Sequence, residues 1–383
     1  MTFFLLYAII FPTLCLLFAK KPKLLYVPFL ILTILSMIRY DTTSDYHNYV
    51  RIFGEEISGD LAEKQQAEFG YVYLNRLFSF SKWGFLGVFA VSSAFIYSFF
   101  YYYLKKYDIL CIGTFTFLCF GCMTNFDNIV RQAIAIAIFN YSLLFIQNKK
   151  YYIAILLCLI APAFHSSAYI AFFFLLLAPR LQSTFLSKKA MYATIVILFV
   201  LYFLDFFSSI RDGFFSISFV INSIYGDYSE IDFAKSHIGI AFIIKTIICL
   251  APISIIDKVK DKFVVLSINM SWVSAILSIL FAGIPFFYRI TDYLTLFNII
   301  AVSYFWVYCW RFMDKRTSVY PITLMLCLLL FNHVISYYGL RNKYDTILGE
   351  NCWEHRFYIR QTFDEVQRNG ANVDRDNYYI LNK

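Results

Sequence analysis

Residues 129–180 read IVRQAIAIAIFNYSLLFIQNKKYYIAILLCLIAPAFHSSAYIAFFFLLLAPR, and this stretch decides the fold. Three apolar runs, 129–147, 151–164 and 166–178, are separated by Lys149 and Lys150, then by Phe164, His165 and Ser166, and Arg180 closes the series. An α-helix needs about 20 apolar residues, rising ~1.5 Å each, to cross a hydrocarbon core of ~30 Å. The first run meets that length; the other two are short, so a re-entrant pair is the alternative to two spans. The same pattern extends along the chain. Its 383 residues are 60% hydrophobic and 15% charged, against about 25% charged in soluble domains, and the mean hydropathy is +0.63. A water-soluble core has no room for so many Leu, Ile and Phe side chains, so the predicted class is all-α, a polytopic integral membrane protein.

Further runs near 2–18, 24–38, 84–104, 108–124, 190–207, 237–256, 263–282, 290–310 and 319–337 bring the expectation to about 12 transmembrane helices. Basic residues fall between them at Lys20, Lys21 and Lys23; Lys105 and Lys106; Lys149 and Lys150; Arg180, Lys188 and Lys189; Lys258, Lys260 and Lys262; and Arg311, Lys315 and Arg316. Two spans separate successive basic connectors, which the positive-inside rule assigns to the cytoplasm. The run at 2–18 has no basic segment before it and reads as a retained span, with the amino terminus outside. Residues 1–338 are then one membrane domain with non-cytoplasmic loops at 39–82 and 208–236 and short turns at 125–128 and 285–292. A mostly polar helix is expected at 55–68. The polar tail, 339–383, is non-cytoplasmic.

The net charge of +8 does not imply nucleic acid, because in a membrane protein the position of each charge matters more than the sum. Nine cysteines show no paired spacing, so neither a disulfide framework nor a metal site is predicted. Asp41 and Asp45 are hard oxygen ligands of the kind that suit Mg²⁺, but no further carboxylate is fixed beside them. There is no glycine-rich phosphate loop, and no cofactor is predicted.

Five polar sites from distant regions share the non-cytoplasmic face. Arg39 through Tyr49 brings Arg39, Asp41 and Asp45 together with Tyr46 and Tyr49, aromatic faces suited to stacking on sugar rings; a solvated helix end is the plainer reading. Glu68 precedes Gly70 and Tyr71, where a helix cap with interfacial aromatics would look the same. Arg131 stands at the head of an apolar helix, where an ionisable group is costly and exposed N–H groups favour anions. Its structural alternative is a pair with Asp127. His165 follows Pro162, which frees backbone groups in an apolar helix, and an imidazole titrates near ~6.5, within reach of a proton-accepting role. Arg289 and Asp292 lie one helical turn apart and could pair with each other.

Taken in order, Arg39, Asp45-Tyr46-x-x-Tyr49, Glu68-x-Gly70-Tyr71-x-x-Leu74-Asn75, Arg131-Gln132-x-x-Ala135 and His165-Ser166-Ser167-Ala168 resemble the EpsG-like family of polysaccharide polymerases, related to Wzy-type O-antigen polymerases. Tyr288-Arg289 with Tyr293 resembles a later block of that family, so the likeness runs from about residue 39 to 293. The resemblance implies a glycosyltransferase of the bacterial inner membrane. It would join undecaprenyl-diphosphate-linked oligosaccharide repeat units, as donor and acceptor, into O-antigen, capsule or exopolysaccharide at the outer face, with a chain-length regulator protein as a partner. On that reading Arg131, Arg289 and Arg39 meet the diphosphate, whose growing charge suits a permanently charged, forked donor. His165 is the first candidate for proton acceptor, with Asp45 and Glu68 next, and Tyr46, Tyr49 and Tyr71 meet the sugars. A lipid-linked oligosaccharide flippase or an O-antigen ligase would carry similar groups, although a flippase is expected to show internal repeats and charges near the bilayer midplane.

Overall fold

Every apolar run that falls within residues 26–40, 45–58, 67–81, 84–206, 239–282, 285–314, 317–332 and 356–357, which the computed structural model describes, is helical. The run at 2–18, Asp41, the loop at 208–236 and most of the tail lie outside these residues. Lipid offers backbone groups no partners, so an apolar run satisfies them within its own helix. Among the described residues four helices are long and apolar enough to cross a membrane: Gly84–Lys106, Val130–Gln147, Ile240–Lys258 and Lys262–Leu280. A bent pair, Leu110–Cys119 with Cys122–Asn128, makes a fifth if counted as one span. The apolar helices Tyr26–Met37, Tyr151–Ala163, Ser166–Leu177 and Thr317–Asn332 are shorter.

The chain divides into two compact units, residues 1–173 with 333–383, and residues 174–332. The first contains α1 (Tyr26–Met37), β1 (Arg39–Tyr40), α2 (Tyr46–Ser58), α3 (Phe69–Ser79), α4 (Gly84–Lys106), α5 (Leu110–Cys119), α6 (Cys122–Asn128), α7 (Val130–Gln147) and α8 (Tyr151–Ile160), with α9 (Tyr169–Leu177) beginning in it. Helix α4 is its axis, packing against α1, α3, α5 and α7, while α8 lies along α7. Because lipid tails are as apolar as the side chains, such helices associate by close packing and hydrogen bonds rather than by hydrophobic burial. Here the packing is aromatic: Phe29, Tyr97, Phe100, Phe117 and Phe126 link α1, α4, α5 and α6, with ring centroids 5.0 Å apart for Phe100–Phe117 and 5.3 Å for Phe100–Phe126. Leu156 and Leu159 of α8 are exposed, as a lipid-facing surface requires.

Of two expectations at helix ends, one is corrected and one is met in part. Residues 125–128 are not a turn but the end of α6, and the chain bends earlier, where Gly121 adopts φ +68° and the axes of α5 and α6 differ by 63°. A Cβ at Gly121 would meet nothing within 4 Å, so the left-handed backbone, not crowding, calls for glycine there. Of the helix expected at 55–68, residues 55–58 are helical as the end of α2 (Tyr46–Ser58), residues 59–66 lie outside the described residues, and 67–68 are not helical. Apart from helices, Arg39–Tyr40 pairs antiparallel with β2 (Arg356–Phe357), Arg39 opposite Phe357 and Tyr40 opposite Arg356.

In the second unit, α10 (Lys188–Phe203), α11 (Ile240–Leu250) and α14 (Thr295–Phe312) surround α12 (Lys262–Leu280), and α15 (Thr317–Asn332) follows. Buried polar side chains join these helices: the Asn298 amide donates to Ser274 Oγ at 3.2 Å, Ser271 Oγ donates to the Cys249 carbonyl at 3.0 Å, and Trp272 Nε1 donates to the Met191 carbonyl at 3.0 Å. The expected turn at 285–292 is a helix of its own, α13 (Pro285–Asp292).

Candidate active site

Glu68 is the residue around which the site assembles. It occupies the N-cap position of α3 with extended backbone (φ −66°, ψ 145°), and its carbonyl accepts from the Tyr71 and Val72 amides. A side chain there ordinarily caps its own helix. Glu68 does not; its carboxylate reaches outward to two other elements. Oε2 accepts from Arg131 Nη1 at 2.7 Å, and Oε1 accepts from the Ser166 amide at 3.0 Å. One carboxylate thus ties the first turn of α7 to the loop between α8 and α9, across 63 and 98 residues of sequence.

Each partner is placed by a local backbone reason. Arg131 is the second residue of α7, where a cation opposes the helix dipole, and Glu68 supplies the opposing charge. Pro162 lacks an amide hydrogen and cannot continue α8, so the chain passes through a tight turn at Ala161–Ala163, an extended His165 (φ −161°, ψ 127°) and a second tight turn at Ser166–Ala168. Helix α3 closes on this break at Gly70. A Cβ there would stand 2.7 Å from the Ala163 carbonyl oxygen, so only glycine allows the approach that carries Glu68 to Ser166.

His165 is 8% exposed, and its Nδ1 accepts from the Ser167 amide at 3.2 Å and lies 2.7 Å from Ser167 Oγ. An amide hydrogen can only be donated, so Nδ1 is the unprotonated nitrogen of the neutral ring and Nε2 carries the hydrogen. The ring is therefore a donor at Nε2. Its proton-accepting atom is Nδ1, reached through the Ser167 hydroxyl.

Tyr49 lies within hydrogen-bonding reach of Arg131 through its hydroxyl. Burial first, and the Asp45 carboxylate second, push its phenol up to about 12 against the opposing pull of Arg131, so it stays protonated while its oxygen accepts from Arg131. Tyr46, Tyr49 and Tyr71 are buried, and aromatic rings already occupy their faces: Tyr46 meets Phe89 at 5.6 Å and Tyr49 meets Tyr71 at 5.7 Å. Expected as open stacking surfaces for sugars, the three rings instead pack α2 and α3 onto α4. Asp45 is half-buried at the start of α2, and its amide donates to Asn128 Oδ1 at 3.0 Å.

Arg39 stands apart from this group. It is 1% exposed, and its ion partner is Asp127, 3.6 Å away and 3% exposed. The sequence offered Asp127 as a partner for Arg131; the structure gives Asp127 to Arg39 and Glu68 to Arg131. Arg289, half-buried on α13, belongs to the second unit. Among the described residues no three His, Cys, Asp or Glu side chains gather as metal ligands.

Sequence reasoning missed three contributors. Ser166 acts through its backbone amide, to which side-chain chemistry gives no clue. Ser167 sat inside a noted motif without a role. Asn128 lies in the stretch 125–128 expected as a turn, and nothing in the sequence ties its side chain to the distant Asp45 amide.

The model of the EpsG family matches residues 22–347, most of the chain, including every site residue above. This chain belongs to the EpsG family. EpsG-like proteins are polysaccharide polymerases. No curated protein and no solved structure matches the chain. In this EpsG-family member Glu68, Gly70, Arg131 and the segment from His165 to Ser167 meet, so three of the motifs noted in the sequence form one constellation in space, while Arg39 and Arg289 lie outside it.

Proposed function

We propose that this EpsG-family protein is a membrane-embedded glycosyltransferase that polymerises undecaprenyl-diphosphate-linked oligosaccharide repeat units at the outer face of the bacterial inner membrane. Its chain would cross about 12 times, with the Glu68–Arg131–His165 constellation on the non-cytoplasmic side. The observation that supports this reading is the part-exposed Arg131, 25% accessible and held by Glu68 at 2.7 Å. A fixed guanidinium with access from outside, at a helix N-terminus whose amides also favour anions, suits a lipid diphosphate.

In the proposed reaction the bond between the donor sugar and its diphosphate breaks, and negative charge grows on the departing lipid diphosphate. Arg131 stabilises that charge. A hydroxyl of the acceptor repeat unit forms the new glycosidic bond and loses its proton. His165 Nδ1 receives that proton through the Ser167 hydroxyl, and Nε2–H gives a hydrogen bond to a substrate oxygen. Asp45 is the alternative base. Glu68 is the weaker candidate, because both of its carboxylate oxygens are already engaged, one by Arg131 and one by the Ser166 amide; its part is to hold Arg131 and the His165 segment in register.

The test is to delete the gene in a strain making a long surface polysaccharide and to resolve lipid-linked products on a gel. Single-repeat product at the outer face is expected. Repeat units held in the cytoplasm would indicate a flippase, and free long polymer lacking its final acceptor would indicate a ligase; either overturns the proposal. Restoring the gene with His165→Ala at normal protein level should leave chains at one repeat.

A further inference from the structure

Arg39 lies in the same order of motifs as Arg131, yet it is enclosed on every side that the structure shows. Its Nη1 donates to the Ser36 carbonyl at 2.7 Å, to Ser93 Oγ at 3.0 Å and to Ser36 Oγ at 3.3 Å. Asp127 Oδ1 stands 3.6 Å from the same nitrogen and also accepts from the Ser36 hydroxyl. The Ser36 and Ser93 hydroxyls bond each other at 2.9 Å. The Phe89 ring covers the guanidinium, its centroid 4.1 Å from Cζ. Arg39, Ser36, Ser93 and Asp127 are each at most 3% exposed, so no face is open to a lipid diphosphate.

Two connections lead from this cluster to the site. Asp127 and Asn128 are neighbours on α6; the first is locked to Arg39 and the second accepts from the Asp45 amide, while α6 runs into α7 and Arg131 across Ile129. On the other side, Phe89 carries Arg39 on its face and packs at 6.2 Å against Tyr49, whose hydroxyl reaches Arg131.

We infer that Arg39 and Asp127 are a buried positioning pair that fixes Arg131 and Asp45, and that Arg39 makes no contact with substrate. Either charge left alone in this apolar surrounding is strongly unfavourable, whereas removing both leaves packing largely intact. The polymerisation readout rests on the proposed function; the stability readout does not.

The experiment compares R39L, D127L and the double variant R39L/D127L in membranes and in detergent. Each single variant should lose abundance and thermal stability, and the double variant should recover most of both. Where the leucine variants fail to accumulate, R39Q, D127N and their combination replace them. Losses that simply add in the double variant overturn the pairing. For the link to Arg131, the apparent KM for lipid-linked repeat unit is measured with purified protein. The double variant should raise it several-fold alone and add nothing in an Arg131→Lys background. A further tenfold rise in that background would mean that Arg39 meets substrate directly. If stability couples but Arg131→Lys leaves product formation untouched, the pairing stands and the positioning of a catalytic Arg131 fails; if the wild-type protein itself forms no polymer, the polymerase reading fails while the pairing stands.

Discussion

Two arginine–carboxylate pairs serve the same unit, and their surroundings differ. Arg39 and Asp127 are 1% and 3% exposed and 3.6 Å apart, with two serine hydroxyls and an aromatic face completing the enclosure. Arg131 and Glu68 are 25% and 21% exposed and 2.7 Å apart, with the second Glu68 oxygen on the Ser166 amide. A pair enclosed on all sides holds helices in place. A pair with remaining access can exchange part of its partner's attraction for a substrate anion. Residue type and nearness to a helix end were the same for both arginines, so access to the outside decides which of them is offered to a ligand.

The largest effects should come from breaking each pair in its own way. Asp127→Leu leaves Arg39 buried without its counter-charge and should cost about 3–5 kcal/mol of stability, seen as lost membrane abundance and a lower melting temperature in detergent. Arg131→Ala should keep the protein and remove the reaction: chain extension falls on the order of a hundredfold or more, measured as polymer per unit of membrane protein. Normal extension after Arg131→Ala, or normal abundance after Asp127→Leu, would erase the contrast between the two pairs.

A middle-sized effect should follow from Gly70→Ala. Its Cβ would press on the Ala163 carbonyl, and forcing that contact costs about 1–3 kcal/mol. Because α3 must move to accept it, Glu68 leaves Ser166, and polymer length should fall more than protein abundance does. Equal losses in both would mean that Gly70 only packs. The smallest effect is expected at Gly121. Gly121→Ala keeps open space around the new methyl but places it in left-handed backbone, at about 1–2 kcal/mol, read as a shift in melting temperature without loss of chain extension.

Much of this was legible in the sequence, for identifiable reasons. Helix positions follow from apolar runs because a chain in lipid must satisfy its own backbone, and the run boundaries at 24–38 and 263–282 lie within a few residues of α1 and α12. The break at Pro162 was legible because proline cannot continue a helix. Pairing was not. Which carboxylate meets Arg131 depends on how α3 lies against the Ala161–Ala163 turn, a contact between helices far apart in sequence, and the nearby Asp127 was the wrong guide. The burial of Tyr46, Tyr49 and Tyr71 was hidden too, because an interfacial tyrosine and a packed one have the same sequence signature.

The most direct measurement is the affinity of detergent-solubilised protein for undecaprenyl diphosphate, wild type against Arg131→Ala, with matched melting temperatures to show that both are folded. Arg131 as the diphosphate contact requires binding to weaken by tenfold or more. Equal affinity in the two proteins would contradict it.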